Sequence, residues 1–142
     1  MGGAAGCDGT GAGQPACTVP VQGICPTGWH MPSHYEYNLL ELTTCTSGSC
    51  ATDFPYDEST QGWRGTNEGA ILQSSTSSFR GLLAGYRSTD LSFDGLSSYA
   101  YFWTSLQSGG SAWYRSLYSG YGAVGRATSG QASGFSVRCL KN

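Results

Sequence analysis

Apolar residues recur at helical spacing in one stretch of the chain, between residues 34 and 44. Tyr35, Leu39 and Leu42, joined by Leu40, fall on one face of an α-helix. Residues 32–36, at the start of this stretch, are Pro-Ser-His-Tyr-Glu. The proline prevents a helix from beginning earlier, and Ser-x-x-Glu has the form of a capping box. The pattern therefore predicts one helix, over about residues 34–44.

Elsewhere the apolar residues alternate or cluster in short runs between Gly, Ser and Asp turns, which is typical of β-strands. Four runs are predicted strands: residues 81–87, 99–105, 112–118 and 134–139. Residues 46–68 look loop-like, and no second strong helix is expected from residue 69 onward. Three aromatic residues of that loop are expected to anchor it to the core: Phe54, Tyr56 and Trp63. The glycine-rich stretch 120–125 is interpreted as a hairpin loop. One early helix followed by short antiparallel strands, with much irregular loop, indicates an α+β domain.

Length and charge narrow the class of protein. A chain of 142 residues fits one domain, which we divide into a lead-in segment, residues 1–24, and a folded domain, residues 25–142. The net charge of −2 and the seven scattered Lys and Arg residues give no basic stripe, so nucleic acid is not an expected partner. No apolar run reaches the roughly 18 to 20 residues that span a bilayer, so no membrane insertion by this segment is expected. Because Met1-Gly2-Gly3 lacks signal-peptide features, we expect an exported precursor whose signal or anchor lies outside this sequence.

Six cysteines suit a disulfide framework in an oxidising compartment. Spacing alone permits about 15 pairings. Short loops suggest Cys7 with Cys17 and Cys45 with Cys50, which leaves Cys25 to join Cys139 and tie the domain end to end. Zinc is the competing interpretation, but the spacings include no Cys-x2-Cys.

Residues 97–134 have the composition of a recognition surface. These 38 residues hold nine Ser, seven Gly and five of the nine Tyr of the chain. Tyr gives a large contact area at small entropic cost, while Ser and Gly give adaptable polar contacts, as in antibody paratopes. The alternative is an irregular β domain whose strands favour aromatic residues for packing alone.

Strand alternation within this region selects the candidate ligand-binding residues. If Trp113 and Leu117 face inward, Arg115 is covered and the even positions face out. The candidates are Tyr114, Ser116 and Tyr118 on the strand, Tyr121 and Arg126 on the following loop, Trp113 as a floor, and Tyr99 and Tyr101. Tyr99 and Tyr101 share a parity with Trp103, so a core position is the alternative for both. Trp103, Leu117, Val124 and residues 135–139 are expected to hold this surface in place.

Motifs for catalysis or metal binding are weak. His30 and His34 have the spacing of a helical zinc pair, but Pro32 and the Ser33 cap place His30 outside the helix, where it is a structural hydrogen-bonder. The chain contains no Gly-x-Ser-x-Gly elbow. We therefore expect no catalysis and no cofactor.

Two groups of acidic residues leave a structural calcium ion as an open alternative, although their spacing fits no calcium loop. They are Asp53, Asp57 and Glu58, and Asp90 with Asp94. Arg87 and Arg138 are expected to tie strands or loops together through their forked donors.

Five separated motifs, in order, resemble the Fibrobacter succinogenes major paralogous domain. They are residues 25–33 (CPTGWHMPS), 62–67 (GWRGTN), 83–87 (LAGYR), 93–105 and 134–139 (GFSVRC), and the likeness runs from about Val21 to Asn142. That family is similar to the C-type lectin-like fold in its formylglycine-generating-enzyme-type branch, a scaffold also used by variable proteins of diversity-generating retroelements. The resemblance implies extracellular display and binding rather than catalysis.

Departures from related proteins limit what can be carried over. The calcium-dependent sugar-binding signatures of lectins are absent, and Gln14-Pro15-Ala16 does not replace them. The enzyme that shares the fold binds copper through a C-terminal cysteine pair, whereas Cys139 is alone in this part of the chain.

We therefore expect a C-type lectin-like domain, displayed outside the cell, that binds a protein or glycan ligand. If it is a retroelement variable protein, the source genome carries a reverse transcriptase and a near-copy of the DNA for about residues 95–138 that differs at adenines. The alternatives are a structural, pilin-like or surface-lipoprotein domain without a dedicated ligand, and an unusual enzyme with a concave pocket.

Overall fold

A computed structural model of the chain describes residues 20–142 and, within them, three helices and eight strands. The helices are α1 (His34–Thr44), α2 (Cys50–Asp53) and α3 (Glu68–Gln73). The strands are β1 (Trp29–His30), β2 (Gly62–Arg64), β3 (Ala84–Arg87), β4 (Phe93–Leu96), β5 (Tyr99–Ser108), β6 (Ser111–Tyr118), β7 (Tyr121–Gly130) and β8 (Leu140–Lys141). The mixed helix and sheet class is therefore confirmed, and no helix within the described residues is long and apolar enough to cross a membrane.

Helix α1 begins and ends where the sequence predicts. The Ser33 side chain accepts a hydrogen bond from the Glu36 backbone N–H, and the Glu36 carboxylate accepts one from the Ser33 N–H at 2.7 Å, which completes the capping box. His30 has the expected structural role, because its ring nitrogens lie 2.6 Å from Asn142 Oδ1 and 2.9 Å from Glu36 Oε1.

Two sheets organise the rest of the domain. The larger has the order β2-β7-β6-β5-β3-β4, and all its neighbours are antiparallel except β3 and β5. The smaller pairs β1 with β8, so the two ends of the folded domain lie side by side. The Cys25–Cys139 disulfide, with a Cα–Cα distance of 5.8 Å, fastens the same ends, and Cys45–Cys50 closes the short loop after α1. Both predicted pairings are confirmed; Cys7–Cys17 lies outside the described residues.

The sheet separates two environments. On one face, Ala100, Phe102, Leu117 and Val124 pack with Tyr37 of α1 and Leu72 of α3 in the main core. On the other face, Trp103 packs with Met31 and the Cys25–Cys139 disulfide. The first is called the helix face below.

The helix face also buries an ion pair. Arg115 donates from Nε to Glu41, from Nη1 to His34 Nδ1 at 3.2 Å and from Nη2 to the His34 carbonyl at 3.3 Å. Burial, assisted by the Arg115 charge, lowers the pKa of His34 to about 2, so the imidazole is neutral at physiological pH. Its Nδ1 can then accept from Arg115 while Nε2–H donates to the Asp57 carbonyl at 3.0 Å.

Three sequence predictions about elements were wrong. Residues 120–125 are not a hairpin loop but the turn and first half of β7, which pairs along β6 after the two-residue turn Ser119-Gly120. The loop-like region contains α2 and β2, and α3 extends past residue 69. Residues 134–139 form only isolated bridges, Arg87 with Gly134 and Phe102 with Ser136, rather than a strand. For residues 120–125, pairing with β6 and β2 overrides a weak local preference.

Candidate ligand-binding face

The sheet face opposite the helices carries a layer of tyrosine side chains. Register alternation places Tyr99 beside Tyr118, Tyr101 beside Ser116 and Trp103 beside Tyr114 on this side. We define the tyrosine face as the side chains Tyr86, Tyr99, Tyr101, Tyr114, Ser116, Tyr118 and Tyr121 with Trp63. The structure thus brings most of the candidate residues into one surface.

Five of these tyrosine rings form one network of contacts. Tyr99 stacks on Tyr118 with centroids 4.5 Å apart and planes 10° apart, and on Tyr101 at 5.8 Å. Tyr101 in turn contacts Tyr86 at 5.0 Å and Tyr114 at 5.4 Å. Such contacts hold the rings in fixed positions, so a ligand would meet a preorganised surface.

One end of the tyrosine face is covered. Phe135 stacks on Trp103 at 4.3 Å and on Tyr101 at 4.8 Å. Burial, with the neighbouring Tyr114, Tyr86 and Tyr99 hydroxyls, raises the pKa of Tyr101 to about 12, and burial also raises the pKa of Tyr114. Both hydroxyls are therefore uncharged near neutral pH and can donate or accept a hydrogen bond. Trp103 is 1% exposed and supports this end, as the sequence predicted.

The other end is open to solvent. Trp63 is 43% exposed and Tyr121 50% exposed, and their rings meet edge to face at 5.3 Å. Trp63 lies on β2 opposite Gly125, where an added Cβ would come within 3.2 Å of the indole. The expectation that Trp63 anchors a loop into the core was therefore wrong. The signal that could have found it is Gly125, since a glycine in a strand often marks close approach of another group.

Ser116 faces the predicted side but lies deep. It is 6% exposed, and a Cβ at Gly125 would stand 2.1 Å from its hydroxyl oxygen. Ser116 is shorter than the aromatic side chains around it, so it contributes a buried hydroxyl between them rather than an outer contact.

Arg126 and Trp113 lie on the helix face, which corrects the expected positions of both. Arg126 lies on β7 rather than a loop and is 1% exposed, because alternation from Gly125 turns it away from the tyrosine face. Its Nη2 donates to Asp57 Oδ2 at 2.8 Å. Trp113 is 2% exposed and contacts the His34 ring at 4.8 Å, so it is not a floor beneath the tyrosines. The predicted inward facing of Trp113, Leu117 and Arg115 is confirmed.

The acidic residues considered for calcium are dispersed. Asp57 forms ion pairs with Arg126 and Arg64. Burial alone would raise the pKa of Asp57, but hydrogen bonds from the Thr60 and Ser59 backbone N–H groups and the charge of Arg126 hold that pKa well below its usual range. Asp53 accepts hydrogen bonds from Ser47 and Ser49. Within residues 20–142 no three metal-ligating side chains come together.

The two arginines expected to tie strands behave differently. Arg87 donates to the Ala132 carbonyl at 3.4 Å and so links β3 to the C-terminal segment. Arg138 instead places its guanidinium 5.0 Å above the Phe79 ring.

Comparison with known proteins gives one match. A model of the Fibrobacter succinogenes major domain family matches residues 15–141, nearly the whole chain. No curated protein and no solved structure matches it.

Proposed function

Because the chain belongs to the Fibrobacter succinogenes major domain family, whose name states no activity, we propose a function from the tyrosine face itself: recognition of a protein or glycan ligand outside the cell. The observation that carries this proposal is the layer of contacting rings from Phe135 to Tyr118, with the exposed Trp63–Tyr121 pair beside it on the same sheet face. Rings held in this way add contact area with little further loss of entropy on binding.

The fold that we propose is C-type lectin-like. The paired ends, β1 with β8, the Cys25–Cys139 disulfide that fastens them, and one capped helix packed on an antiparallel meander support it. Two disulfides among the described residues also suit export to an oxidising compartment. Display at the cell surface or secretion follows as part of the same proposal.

The tyrosine face is also suited to being a variable surface in a retroelement system. Its members within residues 95–138 lie on β5, β6 and β7, whereas Tyr86 and Trp63 lie outside that segment. The buried residues Leu117, Val124 and Arg126 of the same strands face the helices. Changes limited to the tyrosine face leave the main core intact. In a near-copy of the DNA for residues 95–138, the differing codons should therefore be those of the tyrosine face and not those of the three buried residues.

Removal of the exposed aromatic pair should abolish most of the binding. The intact domain, multimerised by a tag, is applied to an array of purified glycans and extracellular proteins, and the dissociation constants of its hits are measured. Tyr121→Ala and Trp63→Ala should each weaken a hit by about tenfold or more, since Trp and Tyr are enriched among the residues that dominate interface energies.

Leu39→Ala provides the matched control, because Leu39 is an apolar residue that is 41% exposed and lies on α1, on the opposite side of the sheet from the tyrosine face. Its affinity for the hit should equal that of the unmodified domain. Hits that keep their affinity in both tyrosine-face variants but lose it in Leu39→Ala would contradict recognition by the tyrosine face.

A further inference from the structure

A cleft lies on the helix side of the sheet, away from the tyrosine face. It has a volume of about 320 Å³ and lies between α1, the loop at Phe79 and the C-terminal segment. Its apolar walls are Pro32, Leu40, Phe79 and Leu140. The volume is at the lower end of the range for small-molecule sites, and apolar walls with few polar groups are typical of such sites.

Two polar groups that line this cleft make no hydrogen bond within the described residues. The Tyr37 hydroxyl is buried, with the residue 4% exposed, and makes no hydrogen bond to any residue of the described chain. Burial raises the pKa of Tyr37, so the hydroxyl keeps its proton and can donate. Arg138 lies over Phe79, and its guanidinium makes no hydrogen bond or ion pair within residues 20–142.

Both groups belong to the lining of the same cleft. The positive charge of Arg138 acts on the Tyr37 hydroxyl and opposes the effect of burial on its pKa. An unpaired buried donor destabilises the folded domain, so a ligand that accepts from Tyr37 removes a cost already present. A guanidinium fork is matched in geometry by a carboxylate.

We propose that this cleft binds a monocarboxylate attached to a compact apolar body. The carboxylate accepts from the Arg138 fork and from the Tyr37 hydroxyl, and the apolar body packs against Leu40, Phe79 and Leu140. The same chemistry occurs in a free aryl or alkyl carboxylic acid and in the C-terminal residue of a peptide. This site is independent of the function proposed for the tyrosine face.

Glu36 sets the orientation of the bound group. It lines the cleft, but its Oε1 lies 2.9 Å from His30 Nε2 and its Oε2 accepts from the Ser33 N–H at 2.7 Å. Both oxygens are therefore occupied, and the negative charge repels an anion toward the Arg138 end. Glu36→Gln keeps the capping box, since Gln also serves at that position, and removes the repulsion.

The test is a nuclear magnetic resonance titration of the whole domain with matched acid and amide probes. The probes are 3-phenylpropionate and its amide, and N-acetyl-Ala-Phe with a free or an amidated C-terminus. Saturable shifts of α1 and residues 137–141 are expected, with at least one acid bound about tenfold more tightly than its amide. The stronger of the two acids identifies the source of the carboxylate.

Variants separate recognition from folding. Tyr37→Phe should fold at least as stably as the unmodified domain, because it removes an unpaired hydroxyl, yet bind the acid about tenfold more weakly. Arg138→Gln should weaken binding by a similar factor, and Glu36→Gln should strengthen it. Three results would each overturn the proposal. They are equal affinity for acid and amide, unchanged affinity in Tyr37→Phe, and no saturable shift at about 10 mM probe. At that concentration, binding with a Kd weaker than millimolar would still be detected.

Discussion

Replacing Cys25 and Cys139 together by alanine should lower the free energy of unfolding by about 4 to 5 kcal/mol, measured by urea titration with circular dichroism. The disulfide joins residues 114 positions apart, and the entropy that a crosslink removes from the unfolded chain grows with the size of the loop. Both cysteines also pack with Trp103 and Met31, so their loss loosens the covered end of the tyrosine face.

The Cys45–Cys50 pair is the matched control, because it spans only 5 positions with almost the same Cα–Cα distance, 5.7 Å. The corresponding double alanine variant should lose only about 2 kcal/mol by the same entropic argument. An equal or larger loss for the short loop would contradict the view that Cys25–Cys139 is the main tie of the domain.

Glu41→Gln should destabilise the domain by about 3 to 5 kcal/mol, since it leaves the Arg115 guanidinium buried without a counter-charge. Glu41 and Arg115 side chains are each 2% exposed, and His34, the other partner of Arg115, is neutral. Thermal and urea unfolding of the variant measure the loss.

Two further variants show whether the uncompensated charge is the cause. Glu58→Gln removes an exposed carboxylate that accepts from the Tyr56 hydroxyl and should change stability by less than about 0.5 kcal/mol. The double variant Glu41→Leu, Arg115→Met removes both charges and should be more stable than Glu41→Gln alone. A double variant less stable than Glu41→Gln would show that loss of the ion pair, and not the unpaired charge of Arg115, causes the destabilisation.

Local signals made some elements predictable. Helix α1 was found to the residue because Pro32, the Ser33 cap and Glu36 act within one turn of its start. Strands β5 and β6 were found because their alternation is continuous, and the same alternation assigned Leu117 to the core. The Cys45–Cys50 disulfide was predicted from its short loop, and Cys25–Cys139 was the pair that remained after the short loops were assigned.

Long-range contacts decided the features that the sequence did not reveal. Strand β7 contains several glycines, and it is a strand because β6 and β2 pair with it on both sides. That pairing fixes the parity that buries Arg126 beside Asp57 and brings Trp63 over Gly125. A single sequence does not show which distant segment supplies the pairing, so Arg126 was assigned to the surface and Trp63 to the core.

The nine tyrosines of the chain provide the most direct test that the tyrosine face is the recognition surface. Tyrosine rings are labelled with ¹³C, and their spectrum is recorded with and without the strongest hit of the array. Ring signals of Tyr99, Tyr118 and Tyr121 should shift on binding. The signals of Tyr35, Tyr37 and Tyr56, which lie at α1 or beside it, should stay unchanged. Shifts confined to these three, with the tyrosine face unaffected, would contradict the proposed function.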